Sequence, residues 1–503
     1  MHPVLTRRQM QALDRHTIEG LGLPGPVLME VAGRAVADAV ERILGSATGR
    51  VVALVGPGNN GGDAVVAARH LTQRGHPVEL VLFGPPEGRS ADLLHQLSIA
   101  FKLGLASNEL QTPGELGAWL SGAAVAIDGL FGIGLSRPIA EPYGTAIRLL
   151  NESGVPVVAV DVPSGIDVDT GQILGVAVQA EHTVTFQHPK PGLLLYPGRA
   201  HAGDVEVVDI GLPPRLLTDL GPLAEHLDDA VIQTALPPRP HDSHKGTYGH
   251  LLVVAGVPDR PGSALLASRA ALRVGTGLVT VASDPITIGR IAGQLEALMG
   301  HSLADLGPGP ILEALAGKTG LALGPSLLPT PELRDTILAV LQKTRAPVVL
   351  DAGALSAFAG AASALADHHG PLVLTPHPGE AGRLLGLDSA AVQADRPAAA
   401  QALAQLTRAV VILKGAGTLI ARPDGPLAYC TAGSPGMATG GTGDVLTGAL
   451  GGLLAQGVEP VLAAWAAVQL HARAGERAAA RVGEAGLIAS DLHLALAEVL
   501  AQR

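Results

Sequence analysis

The stretch GSPGMATGGTGDVLTG, residues 433–448, joins a glycine-rich loop to an apolar segment with the pattern of a helix. Glycines let the backbone turn its N–H groups inward and approach an anion closely. The N-terminus of the following helix adds unpaired N–H donors and a partial positive charge. Asp444 stands where this helix begins, so its carboxylate can exchange a proton beside the predicted anion site. The alternative is a glycine-rich turn in which Asp444 only caps the helix.

Length, composition and net charge indicate how many domains to expect and which classes of partner to exclude. The chain has 503 residues, for which two or three domains are expected, and 47% apolar residues supply large cores. The formal net charge of −11 argues against a nucleic-acid partner. An anionic small molecule would have to be captured by local backbone donors. The single cysteine, Cys430, excludes an intramolecular disulfide and is expected to be a buried apolar residue.

The chain contains no uncharged apolar run of membrane-spanning length, and charged residues occur early, at Arg7, Arg8 and Asp14. We therefore expect no membrane partner and a cytoplasmic location. Residues 5–45 have a helical pattern, broken at Gly22–Pro26. Their small side chains suit packing on a sheet or on a second subunit, so a homo-oligomer is expected.

A second glycine loop lies near the N-terminus. Residues 51–55 have the pattern of a buried strand, 56–63 of a glycine loop and 64–74 of a helix, which is the phosphate-binding order of a doubly wound sheet. The loop matches G-x-G-x-x-G, and Glu79 would then lie near the tip of the next strand, where a dinucleotide fold has a ribose-binding acid. Three polar side chains indicate that the turn holds more than a pyrophosphate: Asn59, Asn60 and Asp63.

Two later predicted strands each end in an aspartate, Asp128 and Asp161, and Ser164 follows the second. Because the carboxyl ends of parallel strands meet at one edge, we expect these side chains and Asn60 to converge. Amide, carboxylate and hydroxyl oxygens suit a hard cation, which leaves Asp161 as a candidate acid or base. The alternative is that both aspartates are helix caps or turn formers. Further on, Lys190 either meets a phosphate or is an exposed loop lysine.

A second α/β domain with a mostly parallel sheet is predicted after the proline-rich residues 212–240. Its strand ends also carry reactive residues. His377 lies in the motif TPHPGE after one predicted strand, and Lys414 lies in KGAGT after another. Lys414 and its neighbouring glycines suit a nucleotide phosphate, while His377 is a candidate substrate contact.

Together these motifs resemble the family of bifunctional NAD(P)H-hydrate repair enzymes. The resemblance rests on residues 58–63, 128–137, 161–167, 244–246, 375–380, 414–418 and 433–444. It implies an α/β protein with an N-terminal Rossmann-like doubly wound sheet and a C-terminal ribokinase-like domain. The implied parts are an epimerase domain (1–215), a proline-rich linker (216–240) and an ADP-dependent dehydratase domain (241–503). The implied activity is epimerisation of the R and S hydrates of NADH and NADPH, followed by dehydration of the S hydrate.

The resemblance also implies site residues, with Asp161 and Asp444 as the catalytic ones. The epimerase substrate would contact Asn59, Asn60, Gly61, Gly62, Asp63, Gly132, Ile133, Gly134, Leu135, Ser136, Arg137, Pro138 and Asp161. A potassium ion would be held by Asn60, Asp128 and Ser164. The dehydratase substrate would contact Ser326, His377, Pro378, Gly379, Glu380, Ala381, Gly382, Arg383 and Asp444. ADP, with an accompanying Mg²⁺, would contact Lys414, Gly415, Ala416, Gly417, Thr418, Ser434, Pro435, Gly436, Met437, Ala438, Thr439, Gly440, Gly441, Thr442 and Gly443.

The chain departs from the family pattern at two places. Residues 324–328 read GPSLL where the family commonly has GPGLG, and residues 351–355 read DAGAL where it commonly has DADAL. Three other functions remain open from the sequence. The C-terminal half would suit a small-molecule kinase, because the same anion site and acid serve phosphoryl transfer. The N-terminal half would suit a nonenzymatic binding module or a dehydrogenase.

Overall fold

The computed structural model describes residues 1–46, 49–294 and 298–502. The chain divides into an N-terminal unit, Pro3–Leu223, and a C-terminal unit that begins at Ala224 and includes Met1 and His2. The division falls inside the segment 216–240, which the sequence predicts to be a linker. From Ala224 onward this segment carries a strand and a short helix of the C-terminal unit, because its apolar residues Leu227, Val231 and Ile232 are buried in that unit's core.

The N-terminal unit is built on a seven-stranded sheet in which every pairing is parallel. A short strand, β1 (His2–Val4), opens the chain, and the sheet strands are β2 (Arg50–Val55), β3 (Val78–Leu82), β4 (Ala106–Glu109), β5 (Ala123–Gly129), β6 (Val157–Val160), β7 (His182–Phe186) and β8 (Asp204–Val208). The sheet order is β4-β3-β2-β5-β6-β7-β8. The order reverses between β2 and β5, so the loops after these strands open on the crevice where doubly wound sheets bind ligands.

Helices lie against both faces of this sheet. Alternate residues of β2 accordingly pack into two different apolar clusters. Val51, Ala53 and Val55 pack in one cluster and Val52 and Leu54 in the other. The helices are α1 (Arg7–Arg15), α2 (Gly25–Leu44), α3 (Asn59–Gln73), α4 (Ala91–Lys102), α5 (Leu116–Leu120), α6 (Tyr143–Glu152), α7 (Pro191–Leu194) and α8 (Gly198–His201).

Helix α3 begins at Asn59, five residues before the predicted start at Ala64, so half of the predicted loop is the helix's first turn. Glycine is required in that turn. A Cβ atom on Gly61 would lie 2.1 Å from the backbone oxygen of Gly56, so only glycine lets the helix start this close to the end of β2.

The C-terminal unit has a larger, mostly parallel sheet, as the sequence predicts. Its strands are β9 (Ala224–His226), β10 (His250–Val254), β11 (Leu278–Ser283), β12 (Leu298–Ser302), β13 (Gly320–Leu323), β14 (Val348–Leu350), β15 (Leu372–Leu374), β16 (Val410–Leu413), β17 (Thr418–Ala421) and β18 (Ala428–Cys430). They run in the order β9-β18-β17-β16-β15-β14-β13-β10-β11-β12. Among these ten strands, in the part of the chain that the structure describes, the pairings of β17 with β16 and with β18 are antiparallel and the others are parallel. The predicted α/β class is therefore confirmed for both units.

The helices of this unit are α9 (Ala230–Ala235), α10 (Gly262–Arg273), α11 (Pro285–Ile291), α12 (Pro308–Leu315), α13 (Pro331–Lys343), α14 (Gly353–Ser356), α15 (Pro378–Leu385), α16 (Ser389–Ala394), α17 (Arg396–Thr407), α18 (Thr442–Ala455), α19 (Pro460–Val482) and α20 (Asp491–Ala501). Across the described residues, none of the helices has the length and apolar character needed to cross a membrane.

Helices α10 and α18 approach through small residues rather than large ones. A Cβ atom on Gly448 would lie 1.9 Å from the backbone oxygen of Ala267, so the two helices meet backbone to backbone there. This contact holds α18, and with it the N-terminal end of that helix, at a fixed distance from α10.

We expect Gly448→Ala to destabilise the C-terminal unit by roughly 2–4 kcal/mol, because the new methyl group would force α18 away from a backbone atom. Gly262→Ala, on α10, is the matched control, since no atom lies within 4 Å of its Cβ position. Thermal unfolding of the full chain measures both. Equal transition temperatures for the two variants would contradict the close contact.

Candidate active sites

A cavity of about 730 Å³ opens at the C-terminal edge of the N-terminal sheet. It is lined by residues from the loops after β2, β5 and β6, among them Asn59, Asn60, Asp63, Gly132, Ile133, Gly134, Leu135, Ser136, Arg137 and Asp161. The structure thus brings together most of the residues predicted for the epimerase substrate. Gly61 and Gly62 do not line the cavity and are buried in α3, and Pro138 is exposed outside it.

Asp161 follows β6 directly and has a φ of 64°, in the left-handed region that non-glycine residues seldom adopt. Its Oδ1 accepts hydrogen bonds from the Lys190 ammonium at 2.5 Å, the Thr185 hydroxyl at 3.1 Å and the Phe186 N–H at 3.1 Å. A strained backbone at a carboxylate held by several hydrogen bonds is typical of a functional position.

Lys190 is completely buried, so the prediction of an exposed loop lysine is wrong. Its ammonium donates to Asp161, to the Thr185 hydroxyl at 2.9 Å and to the Phe186 carbonyl at 2.9 Å. All three of its donors are therefore used within the protein, and none is left for a phosphate. Lys190 instead fixes the Asp161 carboxylate at the cavity wall.

Two further acids line the same cavity, Asp14 and Asp63. Burial, with the nearby charge of Asp161, raises the pKa of Asp14 to about 6. Burial, followed by the charges of Asp161, Asp14 and Asp92, raises the pKa of Asp63 well above its usual range. The raised pKa favours the protonated form of Asp63, which makes this residue a candidate proton donor. Asp14 is absent from the predicted site because it lies on α1, where no sequence motif marks it.

Asp128 and Ser164 form a buried oxygen-rich group beside this cavity. Asp128 accepts hydrogen bonds from the Ser164 hydroxyl at 2.6 Å and the Ser164 N–H at 2.8 Å. Burial raises the pKa of Asp128 to about 6, although these hydrogen bonds oppose the rise. The convergence of these two residues is the one expected from their places at neighbouring strand ends.

Asn60 lies against the same strand end. A Cβ atom on Gly132 would lie 2.8 Å from the Asn60 amide oxygen, and the buried Asn60 amide nitrogen has no hydrogen-bond partner among the described residues. This unused N–H donor can serve a hydrogen-bond acceptor, whereas the amide oxygen is the atom that could meet a cation. Amide, carboxylate and hydroxyl oxygens suit a hard cation, so the side chains of Asn60, Asp128 and Ser164 are chemically suited to hold one.

Glu79 does not lie at this edge. It is the second residue of β3, and its carboxylate accepts hydrogen bonds from Arg50 at 3.0 Å and Asn108 at 2.5 Å. Because ligands bind at the carboxyl ends of parallel strands, a residue at the start of β3 cannot meet a ribose there. The expected ribose-binding acid is therefore wrong.

The second site lies where β13, β14, β15 and β16 end side by side. The Lys414 ammonium donates to Asp351 Oδ1 at 2.8 Å and lies 4.0 Å from Glu380 Oε2. The other Asp351 oxygen accepts from the Thr447 hydroxyl at 2.7 Å. Burial lowers the pKa of Lys414, but the charges of Asp351 and Glu380 outweigh it, so this pKa is raised.

Asp444 is the third residue of α18, and no side chain caps that helix. The alternative in which Asp444 serves only as a cap is therefore not what the structure has. Burial and the charge of Asp351 raise the pKa of Asp444 to about 7, although Lys414 opposes the rise. Asp444 thus exchanges its proton near neutral pH. Asp351 was missing from the predicted site, although it follows a strand as Asp161 does.

Two glycine loops meet at this site. A Cβ atom on Gly443 would lie 3.4 Å from the Lys414 ammonium nitrogen, so the 433–443 loop approaches the 414–418 loop. In the described part of the chain, the backbone N–H groups of Gly415, Ala416, Gly417, Gly440, Gly441 and Gly443 donate no hydrogen bond. These donors are available to an anion, as the sequence predicts.

The other residues predicted to contact the dehydratase substrate differ in how exposed they are. His377 is half-exposed and caps α15, where its Nδ1 accepts hydrogen bonds from the backbone of Gly379 at 3.1 Å and Glu380 at 3.4 Å. Ala381 and Gly382 are buried inside α15, and the Arg383 guanidinium reaches the Ser356 hydroxyl at 3.4 Å. His377 therefore has one ring nitrogen engaged in the helix cap.

The two departures from the family pattern lie against each other. Ser326 has a φ of 61°, a conformation that glycine adopts without strain. A Cβ atom on Gly353 would lie 1.9 Å from the backbone oxygen of Leu327, the next residue of the same loop. This loop therefore occupies the space that a side chain at position 353 would need.

Two separate α/β units, each with carboxylates and glycine loops at the carboxyl edge of a mostly parallel sheet, define a fused enzyme with two small-molecule sites. Residues 25–192 match the family model of the YjeF-related protein N-terminus, and residues 251–497 match that of NAD(P)H-hydrate dehydratase. The chain belongs to the family of bifunctional NAD(P)H-hydrate repair enzymes, with an epimerase domain and an ADP-dependent dehydratase domain.

Relatives match over most of their length. The bifunctional NAD(P)H-hydrate repair enzyme of Moorella thermoacetica is 40% identical and covers 86% of this chain and 84% of its own. That of Coxiella burnetii is 38% identical and covers 86% of each. A solved structure, the ADP/ATP-dependent NAD(P)H-hydrate dehydratase of Bacillus subtilis, is 32% identical over 56% of this chain and 98% of its own, with a TM-score of 0.49.

We expect Lys190→Met to destabilise the N-terminal unit by about 3–5 kcal/mol, because it leaves the buried Asp161 carboxylate without its cation. Adding Asp161→Asn should recover part of this loss, since the uncompensated charge is then removed. Calorimetric unfolding of the full chain measures both variants.

Lys102→Met is the matched control, because Lys102 is exposed in the same unit. It should leave the unfolding transition unchanged. If the losses of unfolding free energy in the two single variants simply add in the double variant, Lys190 does not stabilise the unit through its ion pair with Asp161.

Proposed function

We propose that the N-terminal unit interconverts the R and S hydrates of NADH and NADPH and that the C-terminal unit dehydrates the S hydrate with ADP bound. The observation that carries this proposal is the position of Asp444. It is an acid that titrates near neutral pH, and it lies beside backbone donors left open for an anion. The pairing of Asp161 with a buried lysine supports the proposal for the first unit.

In the proposed dehydration, Asp444 donates its proton to the hydroxyl on C6 of the hydrated ring. Water leaves with the electron pair of the C–O bond, and the lone pair of the ring nitrogen stabilises the resulting cation. Loss of a proton from C5 then forms the C5–C6 double bond of NAD(P)H. One proton is donated and one released, so the reaction is balanced without a change in ADP.

In the proposed epimerisation, an acid protonates the C6 hydroxyl, water leaves, and water adds to the opposite face while a base accepts its proton. The cavity offers both roles. The raised pKa of Asp63 favours its protonated form, and Asp161 is held at the wall by Lys190. We assign the acid role to Asp63 and the base role to Asp161.

A potassium ion is proposed at Asn60, Asp128 and Ser164, whose oxygens suit a hard cation. It would supply positive charge beside the substrate. Mg²⁺ is proposed to accompany the nucleotide through its phosphates. A homo-oligomer and a cytoplasmic location also remain predictions, and sedimentation of the purified chain tests the first of these.

A small-molecule kinase is the second candidate for the C-terminal unit, because an acid beside an anion site also serves phosphoryl transfer. The two functions differ in the fate of the nucleotide. A kinase consumes ATP in proportion to a phosphorylated product, whereas the proposed dehydratase works with ADP and transfers no phosphate.

Recovery of reduced-nicotinamide absorbance from a mixture of both hydrates tests the proposal. With ADP we expect full recovery by the wild-type chain, recovery limited to the S hydrate by Asp161→Ala, and no recovery by Asp444→Ala. Asp335→Asn is the matched control, because Asp335 is exposed and outside both sites. Replacing K⁺ by choline should slow only the epimerisation phase.

Complete recovery by Asp161→Ala would contradict the role assigned to that residue. Recovery by neither ADP nor ATP, together with phosphorylation of a small alcohol, would establish the kinase instead. Retained NAD binding without any preference for the hydrate would support a dehydrogenase-like N-terminal unit.

The dehydration rate should fall as the pH rises through about 7, because Asp444 must carry a proton to act as the acid. The measurement is the initial rate on the S hydrate between pH 5.5 and 8.5, conditions chosen to span about 1.5 units on each side of that value. ADP affinity, measured over the same range, controls for loss of nucleotide. A rate that rises through this range would make Asp444 a base.

A further inference from the structure

Arg396 lies beneath the proposed nucleotide loop. It is the first residue of α17 and is only 5% exposed. Its Nη2 donates to the carbonyls of Leu413 at 3.3 Å, Lys414 at 3.5 Å and Gly417 at 3.1 Å, and its Nη1 donates to the Gln393 side-chain oxygen at 3.0 Å. The guanidinium is thus bonded to neutral oxygens.

No carboxylate among the described residues forms an ion pair with Arg396, and burial is the only cause that shifts its pKa. Its Nε is buried without a hydrogen-bond partner in the same part of the chain. Burial lowers the pKa of Arg396 to about 10, which still leaves it protonated at neutral pH. A buried, unpaired cation is costly, so a structure that retains one is expected to use it.

The loop is shaped around this side chain. Gly415 has a φ of 142°, and a Cβ atom on it would lie 2.7 Å from Arg396 Nη1, so the backbone crosses directly over the guanidinium. Three carbonyls of residues 413–417 point to Arg396, whereas the N–H groups of Gly415, Ala416 and Gly417 donate no hydrogen bond to any described residue. The donors of the loop are therefore left for a ligand.

The other cation of the site is already compensated. Lys414 pairs with Asp351 and lies within 4.0 Å of Glu380, so this group carries no positive excess. Asp444 adds a third acid nearby, and its charge acts on Lys414. A nucleoside diphosphate is strongly anionic, so a protein cation near its phosphates would add to the charge of the Mg²⁺ proposed to accompany it.

We propose that Arg396 is a positioning residue for the nucleotide, whose unpaired buried charge stabilises the phosphates at the Lys414–Thr418 loop and whose hydrogen bonds hold the loop's carbonyls away from them. This inference rests on the proposed binding of ADP to that loop. Arg396 itself need not touch the nucleotide, because its charge acts through a single layer of backbone.

The test is calorimetric binding of ADP and of AMP to the full-length wild type and three variants. Arg396→Gln keeps hydrogen-bond donors without the charge. Arg396→Lys keeps the charge without the planar guanidinium, and Arg396→Met removes both the charge and the donors. We expect Arg396→Gln to weaken ADP binding by about tenfold or more and AMP binding by less, and Arg396→Lys to retain most of the affinity. Arg477→Met, which breaks a pair with Glu498 on α19 and α20, is the control.

Equal affinities for Arg396→Gln and Arg396→Lys would overturn the role of the charge. If the neutral variants do not fold, the pH dependence of Arg396→Lys decides. A buried lysine without a carboxylate has a lowered pKa, so its ADP affinity should fall between about pH 7 and 9, whereas that of the wild type should not. A flat profile for Arg396→Lys would contradict the proposal.

The outcome also separates this inference from the proposed function. A wild-type chain that binds no ADP refutes the nucleotide site itself. A wild-type chain that binds ADP, with variants that bind it equally well, refutes only the role of Arg396.

Discussion

Each unit depends on a lysine–aspartate ion pair at the carboxyl edge of its sheet. In the N-terminal unit Lys190 meets Asp161 at 2.5 Å, and in the C-terminal unit Lys414 meets Asp351 at 2.8 Å. Taking such charges out of water is expensive, and good geometry with further hydrogen bonds is needed to offset the cost. Thr185 supplies such a bond to Asp161, and Thr447 supplies one to Asp351. Each pair therefore ties a strand end to a neighbouring element.

The ion pairs also set the protonation of the acids around them. The negative charge of the paired aspartate disfavours ionisation of the next acid. Asp161 acts in this way on Asp14 and Asp63, and Asp351 acts on Asp444. In each case burial is the larger cause and the paired aspartate the next. The result is a carboxylate held by a lysine beside an acid whose pKa is raised, an arrangement suited to moving protons.

Sequence patterns could predict the features that depend on neighbouring residues in the chain, such as strands and the loops that follow them. Strands followed by glycine loops or aspartates predicted the two sheet edges and the convergence of candidate residues there, because parallel strands necessarily end together. Contacts between segments that are distant in the sequence could not be predicted in this way. Asp14 enters the first cavity from α1, and Lys190 is buried by a fold that its proline- and glycine-rich surroundings do not indicate. The start of α3 was misplaced because glycine disfavours helices in general, whereas Gly61 here permits a close approach.

The two departures from the family pattern are separate in the sequence but lie against each other in the structure. The loop after β13 contains Ser326 in a left-handed conformation, and the same loop fills the position where a side chain on residue 353 would project. This path of the loop therefore requires a glycine at 353, since a side chain there would displace the loop. The neighbouring Asp351, with its two hydrogen-bonded oxygens, is fixed independently by Lys414 and Thr447. The charged centre that acts on Asp444 is thus held by contacts other than those between this loop and residue 353.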